Sequence, residues 1–381
     1  MIKNALIATA LLALLACNRA PIVGPIPTAT LPPTATPPPT ETPPPTLTPR
    51  PATATLTPSP QPPTAPATFT PGPVYAGRVV IADYMVWYDP ATFDGTKTFD
   101  VPAAGPYESD DPATLQRQLA LAQQACLNGL APHWYGVRDR RTTDNITQLF
   151  ALSANTNLQH AVLLLGNILP GADEQLLTDS INYLLSHWAD SPNYLKIDGR
   201  PVILFVDMNR PWGNDQSAEA GWARIRAATD PNRQALWMAE GLFTYYNPLF
   251  DGLYVYRIDH RDYPGAWQKQ PVWAQALRDV QSRAGRKLYF ADTIAPGFDD
   301  TRAANAPIDY RLPAPPFARD RADGQYFRDT YSVTARTGGD FMIVKSLNEW
   351  IEGTAIEPGV HDGDLYVRLT CELANDYRSR P

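Results

Sequence analysis

The residues best suited to chemistry lie near the C-terminus, in the stretch SLNEWIEGTAIEP (Ser346–Pro358). Two carboxylates, Glu349 and Glu352, stand three positions apart directly after an apolar run. Close carboxylates repel each other when both are ionised, so the pKa of one rises and that group can act as a general acid near neutral pH. The alternative is a pair of solvated acids on a surface loop, because this spacing is common. The adjacent Asn348 and Trp350, and the strand that leads into them, favour a catalytic pair.

Aromatic and acidic residues also follow most of the other predicted strands. They are Trp87, Tyr88, Asp89, His133, Trp134, Tyr135, Asp207, Glu240, Tyr256, Asp259 and Asp292. Sugar rings stack on aromatic side chains, and carboxylates supply the acid, base and nucleophile of glycoside cleavage. A single Asp at a strand end is often only a helix N-cap, so the combination over many strands is what predicts a saccharide-binding site.

These side chains meet only if the strands that precede them run parallel, and the pattern along the chain predicts this. The predicted strands are Val79–Tyr88, Gly129–Tyr135, Ala161–Leu165, Pro201–Val206, Ala235–Ala239, Gly252–Ile258, Lys287–Ala291 and Phe341–Ser346. The predicted helices are Ala113–Cys126, Asn145–Asn155, Glu174–Trp188, Ala218–Ala228, Ala266–Ala284, Gln325–Arg336 and Leu365–Arg378.

Strands that alternate with helices form parallel sheets. Eight strands over about 300 residues predict one (β/α)8 TIM barrel, with its site at the C-terminal ends of the strands. A doubly wound open sheet is the alternative. It would carry a glycine-rich turn after the first strand, where this chain reads DPATFDG.

Three segments are expected: a lipoprotein signal peptide at 1–17, a disordered Thr/Pro-rich linker at 18–74 and the barrel domain at 75–381. Half of the 40 prolines lie between Pro21 and Pro73. Proline favours an extended, solvated polyproline II chain, and this segment has few apolar side chains to bury.

The N-terminus has the pattern of an export signal. Lys3 precedes the short apolar stretch Ala5–Leu15, and Leu14-Leu15-Ala16-Cys17 resembles a bacterial lipoprotein cleavage site. We therefore expect lipidation of Cys17 and a lipid-anchored protein at the cell surface. The alternative is an ordinary cleaved signal that happens to contain a cysteine.

The remaining composition limits the other partners. A net charge of −7 without a long basic run argues against nucleic acid. The five histidines have no metal-binding spacing and no phosphate loop is present, so we expect no cofactor and no metal. We also expect a monomer. Cys126 and Cys371 lie in the predicted first and last helices, which adjoin in a closed barrel. They form either a disulfide or two buried thiols.

The stretch Ser346–Pro358 resembles the NEWxEGTxIEP signature of glycoside hydrolase family 99, the endo-α-mannosidase family, or of its wider relatives. Further segments are similar to family blocks in the same order. They are YMVWYDP (Tyr84–Pro90), GPYESDDPATLQRQLALAQQACLNGLAPHWYG (Gly105–Gly136), KIDGRPVILFVD (Lys196–Asp207), FDGLYVY (Phe250–Tyr256) and APGFDDTRAAN (Ala295–Asn305).

The resemblance implies a retaining endo-glycosidase acting on α-mannose-containing glycans through the sugar 2-hydroxyl. Glu349 would deprotonate that hydroxyl, and Glu352 would be the general acid and base. The candidate substrate-binding residues are Tyr84, Trp87, Tyr88, His133, Trp134, Tyr135, Asp207, Tyr256, Asn348, Trp350 and Glu357. Three positions depart from the family pattern: Ile351 replaces a common His, Cys126 stands where the family tends to have Gly, and His133 replaces a smaller residue.

Two other functions compete with this one. A non-catalytic glycan-binding lipoprotein on the same barrel is the first, since a fold does not guarantee its chemistry. The second is a structural surface protein, which the aromatic and acidic strand ends argue against.

Overall fold

The computed structural model describes residues 77–241, 248–259, 270–303, 308, 310–311 and 315–380. The expected signal peptide and linker, including Cys17, lie outside the described residues, as do 266–269 at the start of one predicted helix.

Eleven strands lie within the described residues. They are β1 (Val79–Tyr84), β2 (Gly129–Trp134), β3 (Val162–Leu164), β4 (Lys196–Ile197), β5 (Arg200–Phe205), β6 (Leu236–Glu240), β7 (Gly252–Tyr254), β8 (Tyr289–Ile294), β9 (Phe298–Asp299), β10 (Ala318–Arg319) and β11 (Phe341–Val344). The α-helices in the same residues are α1 (Pro112–Gln124), α2 (Arg140–Ser153), α3 (Glu174–His187), α4 (Asp215–Thr229), α5 (Gln270–Ala284), α6 (Gln325–Thr334) and α7 (Leu365–Ser379).

Eight of the strands pair in parallel and close into a barrel, in the order β1-β2-β3-β5-β6-β7-β8-β11. The first and last strands pair in register from Val79 opposite Phe341 to Ala82 opposite Val344. Each of the eight predicted strands is present, which confirms the (β/α)8 TIM barrel. The short strand β4 runs antiparallel to β5, and β9 and β10 form a separate antiparallel pair.

Two apolar cores follow from the two-residue repeat of each strand. On β1, Ile81 belongs to the core inside the barrel, whereas Val80 and Ala82 belong to the core between the barrel and its helices. This alternation decides which strand residues can reach the mouth of the barrel.

The helices begin where capping residues stand. Asp111 accepts hydrogen bonds from the backbone of Ala113 and Thr114, and Pro112 occupies the first turn of α1. The structure also decides between a disulfide and two thiols. Cys126 after α1 is bonded to Cys371 in α7, with Cα atoms 4.6 Å apart.

Candidate active site

A cavity of about 260 Å³ opens at the C-terminal ends of the barrel strands. Both Glu349 and Glu352 line it. The other lining residues are Trp87, His133, Tyr135, Leu165, Ile168, Val206, Asp207, Glu240, Tyr256, Arg257, Tyr310, Arg311 and Ile351. The wall is therefore aromatic on several sides and carries charges of both signs.

The loop that follows β11 holds the two glutamates. Asn348 holds this loop to Met85, the residue that follows β1. Its Oδ1 accepts from the backbone N–H of Met85 at 2.7 Å, and its Nδ2 donates to the Met85 carbonyl at 2.9 Å. The backbone N–H of Glu349 donates to Ser346 Oγ at 2.7 Å. These bonds fix the carboxylates to a rigid strand end rather than to a free loop.

Gly353 allows the same loop to pass close to a second segment. Its φ is +62°, and a Cβ atom there would lie 3.0 Å from the backbone nitrogen of Asp299. The Asp299 N–H donates to the Glu352 carbonyl at 2.8 Å. A glycine is needed here because other residues rarely adopt this conformation and would clash.

Glu349 is buried, and its carboxylate accepts two hydrogen bonds. Its Oε1 accepts from the Tyr88 hydroxyl at 2.7 Å and from the Ile351 backbone at 3.1 Å. Burial, reinforced by the negative charge of Glu352, raises the pKa of Glu349 to about 7. Near neutral pH a large fraction of this carboxyl is therefore protonated.

Glu352 has the opposite surroundings. Its Oε1 accepts from Arg257 at 2.6 Å, and its Oε2 lies 3.7 Å from the ammonium of Lys345. Burial opposes ionisation of Glu352, but the positive charges of Arg257 and Lys345 outweigh it, so its pKa lies below the usual range. At rest the ionised member of the pair is Glu352. The roles implied by the family resemblance need the proton on the other carboxyl.

A second pair of acids lies across the cavity. Asp207 follows β5 with its backbone in the left-handed region, at φ +52°, where Asn167 donates to its carbonyl at 2.8 Å. Burial, then the negative charge of Asp207, raises the pKa of the neighbouring Glu240 to about 7. Carboxyl groups at this wall can accept and donate hydrogen bonds to sugar hydroxyls.

Among the predicted contacts, the cavity brings together Trp87, His133, Tyr135, Asp207 and Tyr256 with the two glutamates. Tyr88 lies behind them and contacts Glu349 rather than the cavity wall.

Tyr84 and Trp134 do not belong to this wall, which corrects the expectation for both. Each points outward into the core between barrel and helices. The Tyr84 hydroxyl donates to Gln118 at 2.5 Å, and Trp134 Nε1 donates to Thr143 at 2.8 Å. The two-residue repeat places their neighbours inward instead.

Three further expected contacts serve to hold the loop. Asn348 binds the β1 backbone, as described above. Trp350 Nε1 donates to Glu357 Oε2 at 3.1 Å, and Tyr107 donates to the same oxygen at 3.1 Å. Gln118 donates to the other oxygen at 3.2 Å. Glu357 is therefore a buried brace and does not line the cavity.

Sequence reasoning missed the basic side of the site. Arg257, Arg311 and Lys345 were not predicted, although Lys345 has a readable signal, being a lysine at the end of the apolar strand run FMIV. Asp292 was expected at the mouth. It lies within β8 instead and accepts hydrogen bonds from Thr337 and Tyr377.

Comparison with known proteins identifies the family and the fold. A profile described as glycosyl hydrolase family 99 matches residues 80–377. A relative from Mus musculus, named glycoprotein endo-alpha-1,2-mannosidase-like protein, is 22% identical over 311 residues, covering 72% of this chain and 64% of the relative. The glycoprotein endo-alpha-1,2-mannosidase of Mus musculus is 23% identical, covering 71% of this chain and 62% of the relative.

The chain thus spans 64% and 62% of the length of these two relatives. The solved structure of the family 99 endo-α-mannosidase from Bacteroides thetaiotaomicron superimposes with a TM-score of 0.64 at 21% identity. The match covers 79% of this chain and 98% of that one, which shows a shared fold. Because the family profile runs from the first barrel strand to the last helix, this chain belongs to glycosyl hydrolase family 99.

Proposed function

We propose that this protein is a retaining, endo-acting glycoside hydrolase that cleaves α-mannosidic or related linkages within extracellular glycans. One observation supports this most directly. Glu349 and Glu352 line the same aromatic cavity, and their pKa values are shifted in opposite directions. Carboxyl pairs whose surroundings separate their pKa values are typical of acid–base catalysis. The names of the relatives supply the class of substrate.

The proposed first step uses the substrate's own 2-hydroxyl. Glu349 takes the proton of that hydroxyl, and the oxygen attacks the anomeric carbon as the glycosidic bond breaks. Glu352 gives its proton to the departing oxygen. The product in the site is a sugar with a three-membered ring between carbons 1 and 2.

The second step reverses these proton transfers. Glu352 takes a proton from water as the water oxygen attacks the anomeric carbon, and Glu349 returns its proton to the 2-oxygen. Both steps require one proton shared over the pair. The raised pKa of Glu349 and the lowered pKa of Glu352 favour Glu349 as the site of that proton, so the proton must transfer to Glu352 before the first step.

The test is product analysis on α-mannan fragments with Glu352→Gln. Loss of the general acid and base should lower the rate by about 10²–10⁴-fold while the fold is retained. Glu372→Gln is the matched control, since Glu372 pairs with Arg328 on the surface of α7, away from the cavity. Mass spectrometry sizes the products, and circular dichroism checks the fold.

Full activity of Glu352→Gln would contradict the proposal. Calorimetric binding of the same fragments without any product from the wild type would instead favour the non-catalytic glycan-binding alternative.

A further inference from the structure

A row of buried titratable side chains lies beside Glu352 of the proposed catalytic pair. Lys345 Nζ lies 3.6 Å from Asp83 Oδ2 and 3.7 Å from Glu352 Oε2. His133 Nε2 lies 3.8 Å from the same oxygen of Asp83. The exposed fraction of each of these four residues is 9% or less. Asp83 of β1 and Lys345, which directly follows β11, both continue the inward-facing register of their strands.

The members of this cluster lie near one another but beyond hydrogen-bond distance. In the described part of the chain, Lys345 Nζ, Glu352 Oε2, Asp83 Oδ1 and His133 Nε2 have no hydrogen-bond partner. Buried charged groups are normally paired and hydrogen-bonded, because leaving them without partners is costly. An ion pair that only stabilised the barrel would gain by closing to hydrogen-bond distance. The ammonium of Lys345 can therefore donate a hydrogen bond to either Asp83 or Glu352 after a small displacement.

We propose that Lys345 is a positioning residue that determines which carboxyl of the catalytic pair carries the shared proton. The inference rests on the proposed function of Glu349 and Glu352. Lys345 is almost equidistant from its two anions. Displacement toward Glu352 favours the ionised form of that residue, whereas displacement toward Asp83 lets Glu352 receive the proton it must donate. Asp83 is the counter-ion that makes the second position possible.

Other charges facing Glu352 act in the same space. Those that favour its ionised form, besides Lys345, are Arg257, Arg311 and His133. The acids that interact with it are Glu349, Asp259 and Asp300. The Tyr256 ring lies 3.7 Å from the ammonium of Lys345. Lys345→Met and Asp83→Asn both retain all of these residues, so shifts of opposite direction in the two variants report on the Lys345–Asp83 pair.

The first test is the pH dependence of kcat in Lys345→Met and Asp83→Asn. Activity needs one proton on the pair. Loss of the lysine cation should move both limbs of the profile to higher pH by about one unit or more. Without the Asp83 anion, Lys345 interacts with Glu352 alone. The pKa values of the pair should then fall, and both limbs of the profile should move to lower pH. The double variant should lie near the wild type.

Two controls separate positioning from damage to the fold. Lys345→Arg keeps the positive charge and should leave both limbs of the pH profile in place. This comparison with Lys345→Met does not depend on whether Asp83→Asn folds. Lys287→Met removes a lysine that pairs with Asp198 and Asp340, before β8 at the opposite end of the barrel, and should not move the profile. A purely structural role for Lys345 would lower the rate without opposite shifts in pH.

The second test needs no catalysis. The chain has nine glutamates, and their ¹³C-labelled carboxyl signals can be titrated by NMR. The Glu352 signal is the one that disappears in Glu352→Gln. Its titration should move to higher pH in Lys345→Met and to lower pH in Asp83→Asn. Shifts in one direction, or none, overturn the inference. Opposite shifts in a protein that hydrolyses no α-mannoside would uphold it and reject the proposed function.

Discussion

At the scale of single residues, the hydroxyl of Tyr88 contributes to the protonation state of Glu349. The Tyr88 hydroxyl donates to Glu349 Oε1 at 2.7 Å and accepts from the Trp350 backbone at 3.2 Å. A hydrogen bond to an ionised carboxylate lowers its pKa, so Tyr88 opposes the increase that burial causes. Tyr88 therefore lowers the proton affinity of Glu349 without lining the cavity.

Tyr88→Phe should move the alkaline limb of the kcat profile upward from about pH 7. The raised pKa of Glu349 means that the pair holds its proton below about pH 7 and loses it, with activity, as the pH rises through that value. Removing a hydrogen bond to the charged form costs that form about 1.5–3 kcal/mol, or roughly 1–2 pKa units. Steady-state rates between pH 5 and 9 measure this.

Tyr194→Phe is the control for this change. Its buried hydroxyl donates to the Val202 carbonyl at 3.0 Å, away from the cavity. An alkaline limb that stays in place in Tyr88→Phe would mean that Tyr88 does not set the proton affinity of the pair.

At the scale of elements, helix α1 supports the loop that carries Glu349 and Glu352. Gln118 of α1 donates to Glu357 at 3.2 Å and accepts from Tyr84 of β1 at 2.5 Å. Burial raises the pKa of Glu357, while hydrogen bonds, first from Gln118 and then from Trp350, oppose the rise. The position of α1 therefore determines the position of the loop that carries Glu349 and Glu352.

The disulfide fixes the same helix to the end of the chain. Cys126 and Cys371 are 245 residues apart in sequence, so their bond closes nearly the whole barrel. A long closed loop restricts the unfolded chain strongly. Cys126→Ala/Cys371→Ala should lower the free energy of unfolding by about 2–5 kcal/mol, measured by urea denaturation.

Reduction of the wild type with dithiothreitol should give the same loss as the double substitution. Glycosidase activity well below the unfolding transition should be retained, because the bond lies outside the cavity. Superimposable denaturation curves for oxidised wild type and double variant would refute a stabilising role.

At the scale of the whole molecule, the remaining question is where the barrel is held. No helix in the described residues is both long and apolar enough to cross a membrane. We propose attachment through a lipid on Cys17, with the Thr/Pro-rich segment 18–74 as a spacer. At about 3.1 Å per residue, a polyproline II chain of this length reaches well over 100 Å.

Cys17→Ala should release the protein from the membrane fraction and abolish incorporation of labelled fatty acid. Lipidation needs the thiol of this cysteine. Fractionation of bacterial cells expressing both forms measures this. Cys126→Ala/Cys371→Ala should keep the lipid label. Equal labelling of Cys17→Ala would reject the anchor.

The sequence by itself determined the order of strands and helices, and from it the barrel. Local patterns suffice for this because buried parallel strands need apolar runs and α1 needs its Asp111 cap. The signature Ser346–Pro358 likewise predicted that Glu349 and Glu352 share one site, since both belong to one short segment that follows a strand, and both line the same cavity.

Only the tertiary structure decided which side chains share the cavity. The facing of Tyr84 and Trp134 depends on strand register, because a shift of one residue reverses every side chain. Asp292 was misplaced because β8 extends three residues beyond the predicted end, to Ile294. The charges on the pair depend on Arg257, which follows β7, and on Lys345, which follows β11 and faces both Glu352 and Asp83 of β1. Such contacts exist only once the barrel has closed.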